Sequence, residues 1–224
     1  MSSDAALPAG PSDGAASAGG PRAFRGAAFD RLLFFSDAVV AIAITLVVLP
    51  LVDSARELDD RTVAQFLSDS GWELAAAALT FVVVGVFWRT HHGVFADATG
   101  ATSRAVSFNL LWLACVAFLP VPTVLVVDSQ SDDRAAHGLY VGTMLVAIVA
   151  LVLEEVELER HGLLPRSDDP PVARWITAIG VAVALVLVLT VPSWSMWPVL
   201  VLVPAGRLQW WLRVRAARAR AAES

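Results

Sequence analysis

The sequence predicts an all-α integral membrane protein with six transmembrane helices in each subunit. Three observations predict it. The 224 residues are 57% hydrophobic and only 17% charged, with a mean hydropathy of +0.65, too apolar for an ordinary soluble domain. Apolar runs recur that approach the ~20 residues needed to cross a bilayer as a helix. Seven tryptophans, Trp72, Trp88, Trp175, Trp194, Trp197, Trp210 and Trp211, stand near the ends of those runs, where amphipathic rings settle at membrane interfaces. Trp112 is the exception, deeper inside the third run.

The elements follow in order. Met1 to Gly20 is Ala, Gly, Ser, Pro and Asp, with nothing to bury, and reads as disordered. The first span is Phe34 to Leu51, with Pro50 near its end. It follows a long polar leader and lacks a small-residue cleavage site, unlike a signal peptide. An acidic linker follows, in which roughly Leu58 to Leu67 reads as a short surface helix. The second span, Trp72 to Trp88, ends in Trp88-Arg89-Thr90-His91-His92. The third, Val106 to Val127, carries Pro120 and Pro122, which kink or interrupt its exit end. The fourth starts near His137, is apolar to Leu153 and runs on as helix through Glu154 to Arg160. Pro170-Pro171 breaks the chain before the fifth span, Val172 to Val191. Pro192 and Ser193 make a tight turn into the sixth, Trp194 to Leu212. The last two runs together are about twice a bilayer crossing, so they form a hairpin.

Arginine sets the expected orientation. The leader, the loops after the second and fourth spans, and the tail with Arg213, Arg215, Arg218 and Arg220 fall on one side of a six-span chain. Both termini are therefore expected in the cytoplasm. The expected organisation is a disordered leader over residues 1–30, a six-helix membrane domain over 31–212 and an arginine-rich cytoplasmic tail over 213–224. The net charge of −5 points away from nucleic acid. The single Cys115 excludes an intrachain disulfide and reads as a small buried hydrophobe.

The chemistry concentrates in the first span. Ser36-Asp37 puts a carboxylate near the entrance of an apolar helix, a functional-site signal because a charge there must be paired or face water. It can coordinate a cation, relay a proton or lock helices together. The lock is favoured because His91, His92 and Asn109 stand at the same end of their own spans, and a buried carboxylate needs such partners. Arg31, six residues before Asp37, is a helix anchor, a bond to a neighbour or a snorkelling side chain. Farther along, Ile42, Thr45 or Leu46, and Leu49 recur at three- and four-residue steps and share a helix face. Such a face either packs against neighbouring helices or, in copies around an axis, lines a pore with a hydrophobic constriction. An isolated Thr in a helix often bonds a carbonyl one turn back. No nucleophile motif, Gly-rich phosphate loop or HExxH pattern accompanies these residues, so the chain is not expected to be an enzyme. A secondary ion or proton-coupled transporter is the alternative, but only the third span is visibly broken, and that near its outer end.

Three blocks carry a resemblance. They are Arg31-x-x-x-Phe35-Ser36-Asp37 followed by Ala38 and an aliphatic run to Pro50, the stretch WRTHHGVF from Trp88 to Phe95, and FNLLWLACVAFLPVPT from Phe108 to Thr123. Together they resemble bacterial members of the lysosomal/endosomal potassium-channel family called transmembrane protein 175, formerly a domain of unknown function. The resemblance implies a homotetramer of six-helix subunits in the bacterial plasma membrane, with the first helix of each lining a central pore. It implies passage of K+ and other monovalent cations, with no cofactor and no structural metal. Ile42, Leu46 and Leu49 take the family's aliphatic pore positions and Thr45 its selectivity hydroxyl, with K+ held transiently near Ile42 and Thr45. Arg31, Ser36, Asp37, one of His91 and His92, and Asn109 resemble the network that holds the first helix. Ala41 stands where some members have a hydroxyl, which implies only modest selectivity for K+ over Na+.

Overall fold

The computed structural model describes residues 23–56, 62–129, 133–166 and 171–191. Five helical spans there are long and apolar enough to cross a membrane. The expected sixth span, Trp194 to Leu212, lies outside the described residues. In order, the elements are β1 (Ala23–Phe24), α1 (Ala27–Leu46), α2 (Leu49–Arg56), α3 (Val63–Asp69) and α4 (Gly71–Ala96). They continue with β2 (Ala101–Thr102), α5 (Ser103–Phe118), α6 (Pro120–Asp128), α7 (Arg134–Arg160) and α8 (Pro171–Thr190).

The helices outrun the apolar stretches because caps, not the last apolar residue, end them. Thr102 caps α5 by accepting the Ala105 N–H (3.0 Å). Asp133 caps α7 by accepting those of Ala135 and Ala136. The surface helix α3 begins later than expected, because Thr62 and Gln65 form a reciprocal capping box there. α7 stops where Gly162 takes φ +65°. The Gly162 N–H then reaches the Glu159 carbonyl and the Leu163 N–H the Leu158 carbonyl (3.1 and 3.0 Å), a Schellman turn that folds Leu163 back onto Leu158.

Prolines break the first and third spans. The first runs as helix over Ala27–Arg56 but turns at Val47 and Val48. Pro50 has no N–H for the Leu46 carbonyl, and the Leu51 N–H bonds Val48 instead (3.1 Å). The first helix thus differs from the expected continuous Phe34–Leu51 at both ends. In the third span Leu119 separates α5 from α6, with its N–H shared between the Cys115 and Val116 carbonyls.

α7 is the central helix. It packs most extensively on α5 and then on α8, and 56% of its apolar window is buried against 22% for the span containing α1. The main core gathers Trp112, Val116, Leu119, Tyr140, Met144 and Val181. A smaller cluster of Phe29, Phe95, Ala105, Leu158 and Leu163 closes one end of the bundle. There β1 pairs antiparallel with β2, Ala23 opposite Thr102 and Phe24 opposite Ala101. Gly100 is needed beside this pairing, since a Cβ on it would lie 2.5 Å from the Phe24 carbonyl oxygen. The same end carries Arg25, Arg31, Arg104, Arg160 and Arg166, whereas Asp53, Asp128 and Asp133 mark the ends of the spans leaving it.

Candidate functional site

A buried polar chain ties α1 to its neighbours. Ser36, Asn109 and His91 are 1%, 0% and 3% exposed. The Ser36 hydroxyl gives its one hydrogen to the Leu32 carbonyl (2.9 Å). It must therefore accept from Asn109 Nδ2 (2.9 Å). That orientation turns Asn109 Oδ1 to His91 Nε2 (3.1 Å), so Nε2 carries the proton and donates. The result is a directed run from α4 through α5 to α1. His91 is also stacked on Trp112, with ring centroids 4.2 Å apart and 10° between planes, and touches Phe95 at 4.6 Å.

The other expected members lie elsewhere. Asp37 is exposed on the single chain, not buried. Its Oδ1 accepts from Trp88 Nε1 (2.9 Å) rather than from a histidine. Adjacent residues on a helix point ~100° apart, so burying Ser36 turns Asp37 outward. His92 is likewise exposed and stacks on Trp88 (5.5 Å). Arg31 is exposed and has no hydrogen bond or ion pair among the described residues. Of the six residues expected to form one lock, the structure joins Ser36, His91 and Asn109, while Asp37 holds α4 through Trp88. Trp88 stands one helical turn from His91 and His92, a spacing that could have marked it as part of the same face.

The aliphatic face of α1 turns away from the rest of the chain. Val40, Ala43 and Val47 are buried, whereas Ile42 is 60% exposed, Leu46 42%, Leu49 50%, and Thr45 is exposed beside them. Thr45 donates its hydrogen to the Ile42 carbonyl (2.8 Å). Its oxygen lone pairs are thereby left for an outside partner.

A second buried polar cluster was not legible from spacing. Thr123 Oγ1 donates to the Leu119 carbonyl (2.8 Å). Thr80 must then donate to Thr123 (2.9 Å), and Tyr140 to Thr80 (3.1 Å). This links α4, α6 and α7 beside the break at Leu119. Among the described residues no group of three or more His, Cys, Asp or Glu is placed to hold a metal.

The fold and these polar links define a multi-span α-helical membrane protein whose first helix is pinned along one side and apolar along the other. The model of the family described as "Endosomal/lysosomal potassium channel TMEM175" matches residues 31–120. A potassium channel of Streptomyces collinus is 35% identical over 149 residues, covering 62% of this chain and 70% of that protein. The zebrafish endosomal/lysosomal proton channel TMEM175 is 32% identical over 112 residues, 47% of this chain and 22% of that longer protein. The crystal structure of a lysosomal potassium-selective channel TMEM175 homologue from Chamaesiphon minutus shares the fold. Its TM-score is 0.61 at 22% identity, covering 84% of this chain and 97% of that one. The chain belongs to the TMEM175 family, a family of channels and not of enzymes.

Proposed function

We propose that the protein is a potassium-permeable cation channel of the bacterial plasma membrane, a homotetramer in which α1 of each subunit faces a common axis. The observation that carries this reading is the outward face of the first span, where Ile42, Thr45 and Leu46 of α1 and Leu49 at the start of α2 are exposed on the least buried of the five described apolar spans. Four copies of that face make a pore with aliphatic rings. The narrowest ring strips part of the hydration shell from K+ or another monovalent cation and dewets when closed. The Thr45 oxygens, their hydrogens engaged with Ile42, replace some of the lost water. Selectivity for K+ over Na+ is modest. Ser36, Asn109 and His91 hold α1 to its own subunit, and Asp37 with Trp88 braces the helix beside the subunit boundary. Arg31 and His92 lie at the rim of this brace. Both termini are cytoplasmic, since the arginines gather at the end of the bundle where α1 begins.

Purified protein reconstituted in liposomes with a K+ gradient, followed by single-channel recording, tests this. Passive unitary currents are expected, larger in Ile42→Ala and altered in K+/Na+ permeability ratio in Thr45→Ala. A coupled, saturable flux without unitary currents would place the chain among secondary transporters instead.

A further inference from the structure

At the arginine-rich end of the bundle, α5, α7 and α8 border a pocket of about 580 Å³ whose lining includes no residue of α1. Arg104, Arg160, Arg166 and Arg174 line it, with Phe108 and Trp175 among its apolar residues. Two glutamates also line it, and both are engaged. Glu159 takes the Arg174 guanidinium at 2.7 Å, while Glu157 accepts from Thr102 (3.2 Å) and lies 3.5 Å from His161. Arg174 is also 3.6 Å from Glu155. Arg104, Arg160 and Arg166 are exposed and have no ion pair among the described residues. They come from the start of α5, the end of α7 and the loop after it, so the fold assembles three separate guanidinium groups around one cavity.

We infer that this pocket binds a phosphate-bearing anion, and that its source is the headgroup of an anionic phospholipid. Guanidinium matches phosphate oxygens with paired N–H donors, and basic pockets between transmembrane helices suit lipid headgroups. The layering favours lipid over free phosphate. Leu153, Val156 and Phe108 stand on the span side of the pocket and the arginines at the helix ends, which is the order of acyl chain and headgroup in a leaflet. The volume is within the ~300–1,000 Å³ of ordinary ligand sites.

The test uses the full-length protein in detergent, titrated with short-chain phosphatidylglycerol, phosphatidylcholine or inorganic phosphate and read by native mass spectrometry. It needs no ion current, so it stands or falls apart from the channel reading. Saturable retention of phosphatidylglycerol over phosphatidylcholine is expected. Each of Arg104→Gln, Arg160→Gln and Arg166→Gln should weaken it about fivefold, and the triple variant about a hundredfold. The single variants carry the test if the triple does not fold. Replacing Arg215, Arg218 and Arg220 by Gln removes the same charge from the tail and should leave retention unchanged. Equal loss in the tail variant would assign the binding to diffuse surface charge and overturn the site. Unchanged retention in the pocket variants would also overturn it. Occupancy by inorganic phosphate with no preference for phosphatidylglycerol would overturn the lipid source.

Discussion

Replacing Asn109 by Ala removes the middle of the polar run that fastens α1. Two bonds go: the one accepted from His91 Nε2 (3.1 Å) and the one donated to Ser36 (2.9 Å). They are not equivalent. Ser36 keeps its own donation to Leu32 and loses only an incoming donor, worth about 0.6 kcal/mol for a typical bond between membrane helices. His91 is left with an unpaired N–H packed against Trp112, out of reach of water, at about 1–3 kcal/mol. The sum is about 1.5–3.5 kcal/mol. At roughly 2–4 °C per kcal/mol for a chain of this length, the apparent Tm in detergent should fall by about 3–14 °C. Size-exclusion chromatography after heating measures it. Ser36→Ala should cost less, and the double variant should fall short of additivity by about 0.5–1.5 kcal/mol because both changes break one run. An Asn109→Ala protein within about 0.5 kcal/mol of the wild type, or strict additivity with Ser36→Ala, would refute the directed run.

Three further outcomes follow from the polar contacts. Thr80→Val strands the Tyr140 hydroxyl, whereas Tyr140→Phe deletes only the first donor of its run. Thermal unfolding should therefore show Thr80→Val the more damaging, by about 1–2 kcal/mol, and the opposite order would reverse the donor assignment. Glu154 is fully buried and neither carboxylate oxygen has a hydrogen-bond partner among the described residues. Glu154→Leu should raise stability by about 1–3 kcal/mol, since an apolar side chain of similar size removes an uncompensated polar group; a lowered Tm would reveal a partner that matters. Because Asp37 is exposed on the single chain and held by Trp88, Asp37→Ala and Trp88→Phe should shift the proposed tetramer toward smaller species in native mass spectrometry. A variant that assembles normally but does not conduct would give Asp37 a role at the ion path instead.

The spans were legible because bilayer-length apolar runs are a strong signal, and the break at Pro120 because a missing N–H acts locally. The break at Val47 and Val48 was not expected, although Pro50 causes it by the same means, two and three residues upstream of its ring. The lock was half legible. Ser36, His91 and Asn109 are polar residues in apolar runs, and a common depth suffices to suggest that they meet. Depth alone carries no rotation, which is why Asp37 and His92, each next to a lock residue, were expected inside and are found outside. Trp88 and Trp112 were read for their distance from the membrane surface, while what they do depends on what each ring meets, Asp37 and His92 for Trp88 and His91 for Trp112. The cluster of Thr80, Thr123 and Tyr140 brings together residues from three helices, and no spacing within one helix could announce it.

Rotation also links the lock to the face proposed to line the pore. At ~100° per residue, Val40 and Ala43 come within about 40° of Ser36 around α1, and both are buried. Ile42, Thr45 and Leu46 fall about 180–280° around from it, and all three are exposed. Fastening Ser36 to Asn109 thus sets which side of α1 is presented outward two turns later. A slip of half a turn would bury Thr45 and offer Val40 and Ala43 instead, replacing a hydroxyl and two large aliphatic groups by smaller apolar ones. The residues that hold the helix and those that meet its surroundings are not successive segments of α1 but opposite sides of it, and the bond at Ser36 fixes which of the two sides faces outward.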